Sequence, residues 1–177
     1  IHHNKGIHHI INSWVSLRNQ YADVCPPLWI VGGTPLEINQ FHTDHNLHLD
    51  SYEKSGSIIW WGRLNAEGIS SLYMRSLALI MHSKYEPGGR VSIEAMSSAL
   101  PVIATPCGFA VDTITDWHTG FLVQYGDEDT LTDRMSMFIL QPYLADSMGH
   151  NAKNAALNII RKWNFMEHHI NVYNRLI

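Results

Sequence analysis

Cysteine is scarce: only Cys25 and Cys107 occur in 177 residues, too few for a disulfide framework, and a reducing cytoplasm is the expected setting. Long apolar runs are missing too. The longest, Leu77 to Met81, falls far short of the ~20 residues a membrane span needs, and the opening residues carry no signal-peptide pattern. Basic charge is in deficit, with 12 Lys and Arg against 16 Asp and Glu and a formal net charge of -4. Neither nucleic acid nor an anionic lipid surface is an expected partner. No Gly-x-Gly-x-x-Gly follows a strand-like run, which argues against a dinucleotide-dependent dehydrogenase, and no carboxylate cluster looks like a Mg²⁺ site. Repeats, low-complexity segments and interior linkers are absent, so residues 1–177 read as one domain. At that length folding buries roughly 70% of the surface of the unfolded chain.

What the sequence does have is a dense stretch from Ser83 to Gly108. Pro87 excludes a helix at the preceding loop, and Gly88 and Gly89 let the backbone bend and approach a ligand with no Cβ in the way. From Arg90 to Ala99 the apolar positions Val91, Ala95 and Ala99 recur at helical spacing. The free N–H groups of that helix's first turn therefore face the glycine loop, an arrangement suited to an anion. Leu100-Pro101-Val-Ile-Ala-Thr then reads as a turn into a short buried strand, half of an α/β repeat. In such sheets helix N-termini and strand C-termini share one edge, where ligands bind.

Glu86-Pro-Gly-Gly-Arg-Val-Ser-Ile-Glu94-Ala-Met, followed by Leu-Pro-Val-Ile-Ala-Thr and Gly108, resembles the donor-binding half of retaining glycosyltransferases of family 4 (glycosyltransferase group 1), which have the GT-B fold. The resemblance implies an α/β fold, a Rossmann-like parallel sheet flanked by helices, and a UDP- or GDP-linked nucleotide sugar as donor substrate, with no cofactor and no metal. It implies that Glu94 accepts hydrogen bonds from the ribose hydroxyls. Glu86 is the candidate catalytic residue in the sense that it holds hydroxyls of the transferred sugar; retention is attributed to same-face attack, and neither glutamate is assigned as nucleophile. Lys5-Gly6 matches a Lys-Gly pair whose lysine reaches the donor diphosphate. The arginine paired with it would fall one place before Ile1, so a first strand and that arginine are expected to be missing and the sequence to be a fragment. On this reading an N-terminal domain binds the acceptor, any membrane docking at the inner face belongs to that half, and the fragment alone is inactive.

The remaining chain is consistent with this. Ile7, Ile10, Ile11, Trp14, Val15 and Leu17 form a helical stripe ending before Pro26. Leu28 to Val31 reads as a strand closed by Gly32 and Gly33, and Thr34-Pro35 as the start of one helix over Leu36 to Lys54. Ser57 to Gly62 is the next strand; by resemblance its exit residues Arg63 and Leu64 lie against the nucleobase, although Arg63 reads equally as a solvated loop arginine. Ile69 to Leu77 suggests a short helix, Leu77 to Met81 a strand, and Thr119 to Val123 another. Asp127 opens a helical run that continues through Met135 to Leu140, Leu144 to Ile160 and Phe165 to Leu176, with Trp163-Asn-Phe165 where a GT-B chain crosses back. The expected donor-binding set is Lys5, Gly32, Gly33, Arg63, Leu64, Glu86, Gly88, Gly89, Arg90, Val91 and Glu94.

Several of these residues have plainer readings. Glu94 lies four residues after Arg90 and suits a surface salt bridge worth ~0.3–0.5 kcal/mol; Glu86 suits a helix cap; Lys5 suits a solvent-facing lysine. The 12 histidines invite a metal, above all His2-His3 with His8-His9 and His168-His169, but neither cysteine lies near these pairs in sequence. The methionines and tryptophans fit core positions. Phe109 stands where the family usually has a second glycine and would narrow the pocket under the sugar and diphosphate; Asp112 fits the acidic residue that follows. Ala99 replaces a glycine, and Gly88 stands where an aromatic is common. Two other functions fit the same residues, a GT-B sugar-nucleotide epimerase and a non-catalytic nucleotide-sugar-binding module.

Overall fold

A computed structural model describes residues 3–162. After a short turn at His3–Lys5, helix α1 (Ile7–Gln20) buries Ile10, Ile11, Trp14 and Leu17. The Trp14 indole N–H donates to the Pro26 carbonyl at 2.9 Å, which anchors the segment leading to strand β1 (Leu28–Val31). Thr34 and Glu37 form a reciprocal capping box, Thr34 Oγ1 accepting from the Glu37 N–H at 3.3 Å and the Glu37 carboxylate from the Thr34 N–H at 2.7 Å. With Pro35 at the first position, this starts α2 (Pro35–Asp44) where the sequence places it.

The single helix expected over Leu36 to Lys54 is two. Asn46 takes a left-handed φ of 50°, a conformation asparagine tolerates, and the Leu47 N–H reaches back to the His42 carbonyl at 3.0 Å. That closing bond ends α2 and turns Leu49 into the core before α3 (Asp50–Lys54). Strand β2 (Ile58–Gly62), α4 (Ala66–Tyr73), β3 (Leu79–Met81), α5 (Arg90–Ser97), β4 (Val102–Ala104), α6 (Ala110–Thr113), β5 (Gly120–Leu122), α7 (Glu128–Leu140) and α8 (Pro142–Lys162) follow. The helical run expected from Phe165 to Leu176, the crossing at Trp163-Asn-Phe165 and the pair His168-His169 lie outside the described residues.

All strand pairing between these strands is parallel, in two ladders: β2 with β1, and β3 with β4 and β5. The central strand of the second ladder is sealed, with Val102, Ile103 and Ala104 no more than 2% exposed. Helices α5 and α8 pack against each other over one apolar cluster, and α1 and α7 over the other. The expectation that tryptophan and methionine fill the core holds for Trp14, Met96, Met135 and Met148, but Trp61, Trp117 and Met74 are exposed. Trp117 instead carries the Arg134 guanidinium over its ring at 4.4 Å.

Candidate functional site

The loop from His82 to Gly89 leaves β3 at its C-terminal end and is held from several sides. Its Ser83 carbonyl accepts from Thr105 Oγ1 at 2.6 Å, and its Lys84 N–H donates to the Asn4 carbonyl at 2.7 Å. Gly108, at a φ of 56°, lies so close to the Glu86 backbone that any Cβ there would overlap the Glu86 carbonyl. Gly6, at a φ of 63°, meets the His82 carbonyl in the same way. These glycines let three chain segments converge where α1 and α5 begin.

At that convergence Lys5 Nζ donates to the Glu86 carboxylate, whose side chain is only 17% exposed. The other carboxylate oxygen accepts from the Gly89 N–H at 3.2 Å. The Lys5 hydrogen bond, followed by the Gly89 and Gly88 N–H groups and the lysine charge, holds the Glu86 carboxyl below its usual range despite partial burial. Helix α5 opens at Gly89 with a φ of 63° and no side-chain cap. Glu86 thus serves the helix start as the plainer reading required, and also presents a carboxylate at the sheet edge.

One turn into α5, exposed Glu94 is engaged by Tyr73 of α4 rather than by Arg90. Burial, then the Glu94 charge and hydrogen bond, push the Tyr73 phenol up to about 12. Lys5, Gly32, Gly33, Glu86, Val91 and Glu94 line one cavity of about 670 Å³, together with Tyr73. Arg63, Leu64, Gly88, Gly89 and Arg90 do not line it. Gly88 and Gly89 act through their N–H groups on Glu86, Arg90 is exposed, and Arg63 and Leu64 follow Gly62. The Gly62 carbonyl accepts from the Gly32 N–H at 2.6 Å, so that exit loop sits beside the turn after β1. Phe109 does not line the cavity either; it packs half-buried against the cluster formed by Ile93, Met96 and Ala110. Tyr73 escaped the sequence reading because it looks like one more residue of an apolar helical stripe, and only the packing of α4 beside α5 brings it to Glu94.

A second cluster flanks α1. His8 stacks on His45 with ring centroids 4.2 Å apart and touches His9 at 3.9 Å. His9 Nδ1 lies 2.6 Å from a Glu128 carboxylate oxygen. His82 stacks on Tyr125 and accepts the Gly126 N–H on Nε2 at 2.9 Å. Burial first, and neighbouring imidazoles second, lower both His8 and His82 to about 4. Among the described residues no group of three or more His, Cys, Asp or Glu is arranged to hold a metal ion.

The family of glycosyl transferases group 1 matches residues 1–155. The chain belongs to that family. It is 29% identical over 174 residues to the capsular polysaccharide biosynthesis glycosyltransferase CapM of Staphylococcus aureus, covering 98% of this chain and 44% of that protein. It is also 24% identical over 126 residues to an alpha-maltose-1-phosphate synthase of Mycobacterium tuberculosis, 67% of this chain and 33% of that enzyme. The chain thus spans less than half the length of these relatives. Among solved structures, a sucrose-phosphate synthase of Thermosynechococcus elongatus superposes with a TM-score of 0.82 at 22% identity, over 99% of this chain and 43% of that one. The C-terminal domain of a glycosyl transferase group 1 family protein of Francisella tularensis gives 0.77 at 23%, over 89% and 80%. HepE of Anabaena, solved with UDP and glucose, gives 0.77 at 20%, over 99% and 46%. The fold is therefore that of GT-B C-terminal domains.

Proposed function

We propose that this group 1 domain binds a nucleoside-diphosphate sugar and serves retaining, metal-independent glycosyl transfer to an acceptor held by another domain of the same protein. The observation that carries the reading is the convergence of Lys5, Glu86 and Glu94 on one cleft, at a helix start with no side-chain cap. A leaving nucleoside diphosphate gathers negative charge, and fixed positive potential lowers the barrier by receiving it. Here that potential comes from Lys5 and the first-turn N–H groups of α5. The Glu86 carboxylate now holds Lys5 and the Gly89 N–H just ahead of α5; in the complex the diphosphate takes Lys5 while Glu86 turns to sugar hydroxyls. Glu94, already accepting from a phenol, accepts from the ribose hydroxyls. HepE has been solved with UDP-glucose as well as UDP, which supports a uridine donor; a GDP-linked sugar is the alternative.

The test is reaction of the protein with its acceptor-binding half, using donor labelled at the anomeric carbon and read by NMR. Transfer with the donor's anomeric configuration kept is expected. Inverted product contradicts the retaining assignment. Free nucleotide and a C2-inverted sugar formed without acceptor point instead to an epimerase.

A further inference from the structure

Five imidazoles from four segments meet at the start of α1. His3 belongs to the N-terminal turn, His8 and His9 to the first turn of α1, His45 to the end of α2, and His82 to the exit of β3. His3 Nδ1 lies 3.0 Å from His45 Nε2, and His8 stacks on His45 with planes 13° apart. His9 meets both His82 and Tyr125 edge-on. The rings thus surround the turn that carries Lys5, and the backbone of that turn is tied to the exit of β3 by the Lys84 N–H on the Asn4 carbonyl.

This geometry requires neutral rings. One nitrogen of the His3–His45 pair must accept, and His82 Nε2 accepts the Gly126 N–H, whereas an imidazolium has only donors. His82 is 1% exposed, and its Nδ1 and that of His8 are buried with no hydrogen-bond partner. His8 and His9 also stand at the positive end of a helix with no side-chain cap. The carboxylates facing the cluster are shared with other donors: Asp44 lies 3.4 Å from His3, Glu128 accepts from Asn12 as well as facing His9, and Asp127 caps α7. Glu128 acts on His8, and Glu128 and Asp127 on His82, less than burial does. Of the two lysines in the joined segments, Lys5 pairs with Glu86 and Lys84 is exposed.

We propose that this cluster is an acid-sensitive clasp: with its rings neutral it holds the segment from His3 to His9 against the exit of β3, and as the rings take up protons that segment detaches and carries Lys5 away from Glu86 while the sheet stays folded. Detached rings are solvated and return to an ordinary 6.5, whereas attached His8 and His82 are lowered to about 4. The detached state therefore binds more protons between these values, so the clasp is closed above about 6.5 and opens as pH falls toward about 4. At pH 5 each of the two rings favours detachment ~30-fold. The consequence for a donor rests on the proposed function, since detachment removes the cation that receives the diphosphate.

The experiment follows amide hydrogen exchange in the chain without donor, as protection relative to an unstructured amide at each pH from 7.5 to 5.0. The Lys84 and Gly126 N–H groups report the clasp, and Val102 to Ala104 report the sheet. Protection at Lys84 and Gly126 is expected to fall at least tenfold, and at pH 5.0 to lie at least tenfold below that of the sheet. Protection that does not change with pH, or that falls to the same level as the sheet, overturns the proposal. The double variant His8→Gln with His82→Gln cannot take up these protons, and a glutamine oxygen can still accept from Gly126. It is expected to keep Lys84 protected to pH 5.0. His8→Gln alone, with His82 intact, is expected to lose about half as much as the natural chain on a logarithmic scale. A loss in His8→Gln equal to that of the natural chain overturns the proposal even where the double variant does not fold. No donor is added, so the outcome is independent of the proposed function.

Discussion

Helices α2, α4 and α7 begin differently from α1 and α5. The first three are capped by their own side chains, Thr34, Asn65 and Asp127, each accepting a first-turn N–H. Each also carries an acidic residue in the first turn: Glu37, Glu67, and Glu128 with Asp129. Helices α1 and α5 start at Gly6 and Gly89, both at a φ of 63°, with no side-chain cap and no acidic residue in the first turn. A side-chain cap is worth ~1 kcal/mol; at α5 the Glu86 carboxylate instead takes the Gly89 N–H from the preceding loop, and on the proposed function a diphosphate would share the positive potential of that helix start. Helices α1 and α5 pack over the two apolar clusters as firmly as any, so the difference lies at their starts, which on the proposed function face the donor.

The most severe way to break this contrast is Gly108→Ala. The left-handed conformation alone costs an L-residue ~1–2 kcal/mol, and the new Cβ would push the Glu86 loop off its support. Loss of measurable donor binding and a lower Tm are expected by calorimetry and thermal melting. Glu94→Ala removes charged acceptors of hydrogen bonds typically worth ~1.5–3 kcal/mol, so donor affinity should fall ~10–100-fold with little change in Tm. Tyr73→Phe leaves Glu94 in place and should cost only several-fold by the same titration.

Acidity sharpens the comparison at α1. Its first turn holds His8 and His9 where other helices hold carboxylates. Burial lowers His8 and His82 in the folded chain to about 4, against an ordinary 6.5. The unfolded chain therefore binds more protons between these values, and stability is full above about 6.5 and is lost as pH falls toward about 4. Tm measured from pH 7.5 to 4.5 should drop steadily, and His8→Gln should flatten the slope. The smallest effect is expected at a capped start: Thr34→Ala should cost ~1 kcal/mol, lowering Tm by ~2–4 °C while donor affinity stays unchanged.

Much of this architecture is legible in the residues. The apolar runs at β1 to β5 are short and continuous, the pattern of strands in a parallel sheet, although only β4 is buried throughout, and Thr34, Pro35 and Asp127 announce helix starts by local chemistry. The break at Asn46 is not legible, because one left-handed residue inside a helical pattern gives little signal. Glu86 and Glu94 stand out through their fixed spacing around a glycine pair. The Tyr73–Glu94 contact and the imidazole cluster do not, since each depends on segments brought together only by folding. His82 and His45 are far in sequence from His8 and His9, whose spacing points to His2-His3 instead.

The central claim is that the corner formed by Lys5, Glu86 and Glu94 binds a nucleotide sugar without metal. Thermal melting of the wild-type and Glu94→Ala chains with UDP-glucose, GDP-mannose and ADP-glucose, first without and then with Mg²⁺, tests it most directly. A ligand at a hundred times its dissociation constant adds ~2.7 kcal/mol, which is ~5–10 °C for a domain of this size. One donor class should produce such a shift without Mg²⁺, and Glu94→Ala should cut it to about half or less at the same ligand concentration. No shift with any donor, or a shift left undiminished by Glu94→Ala, would contradict the claim.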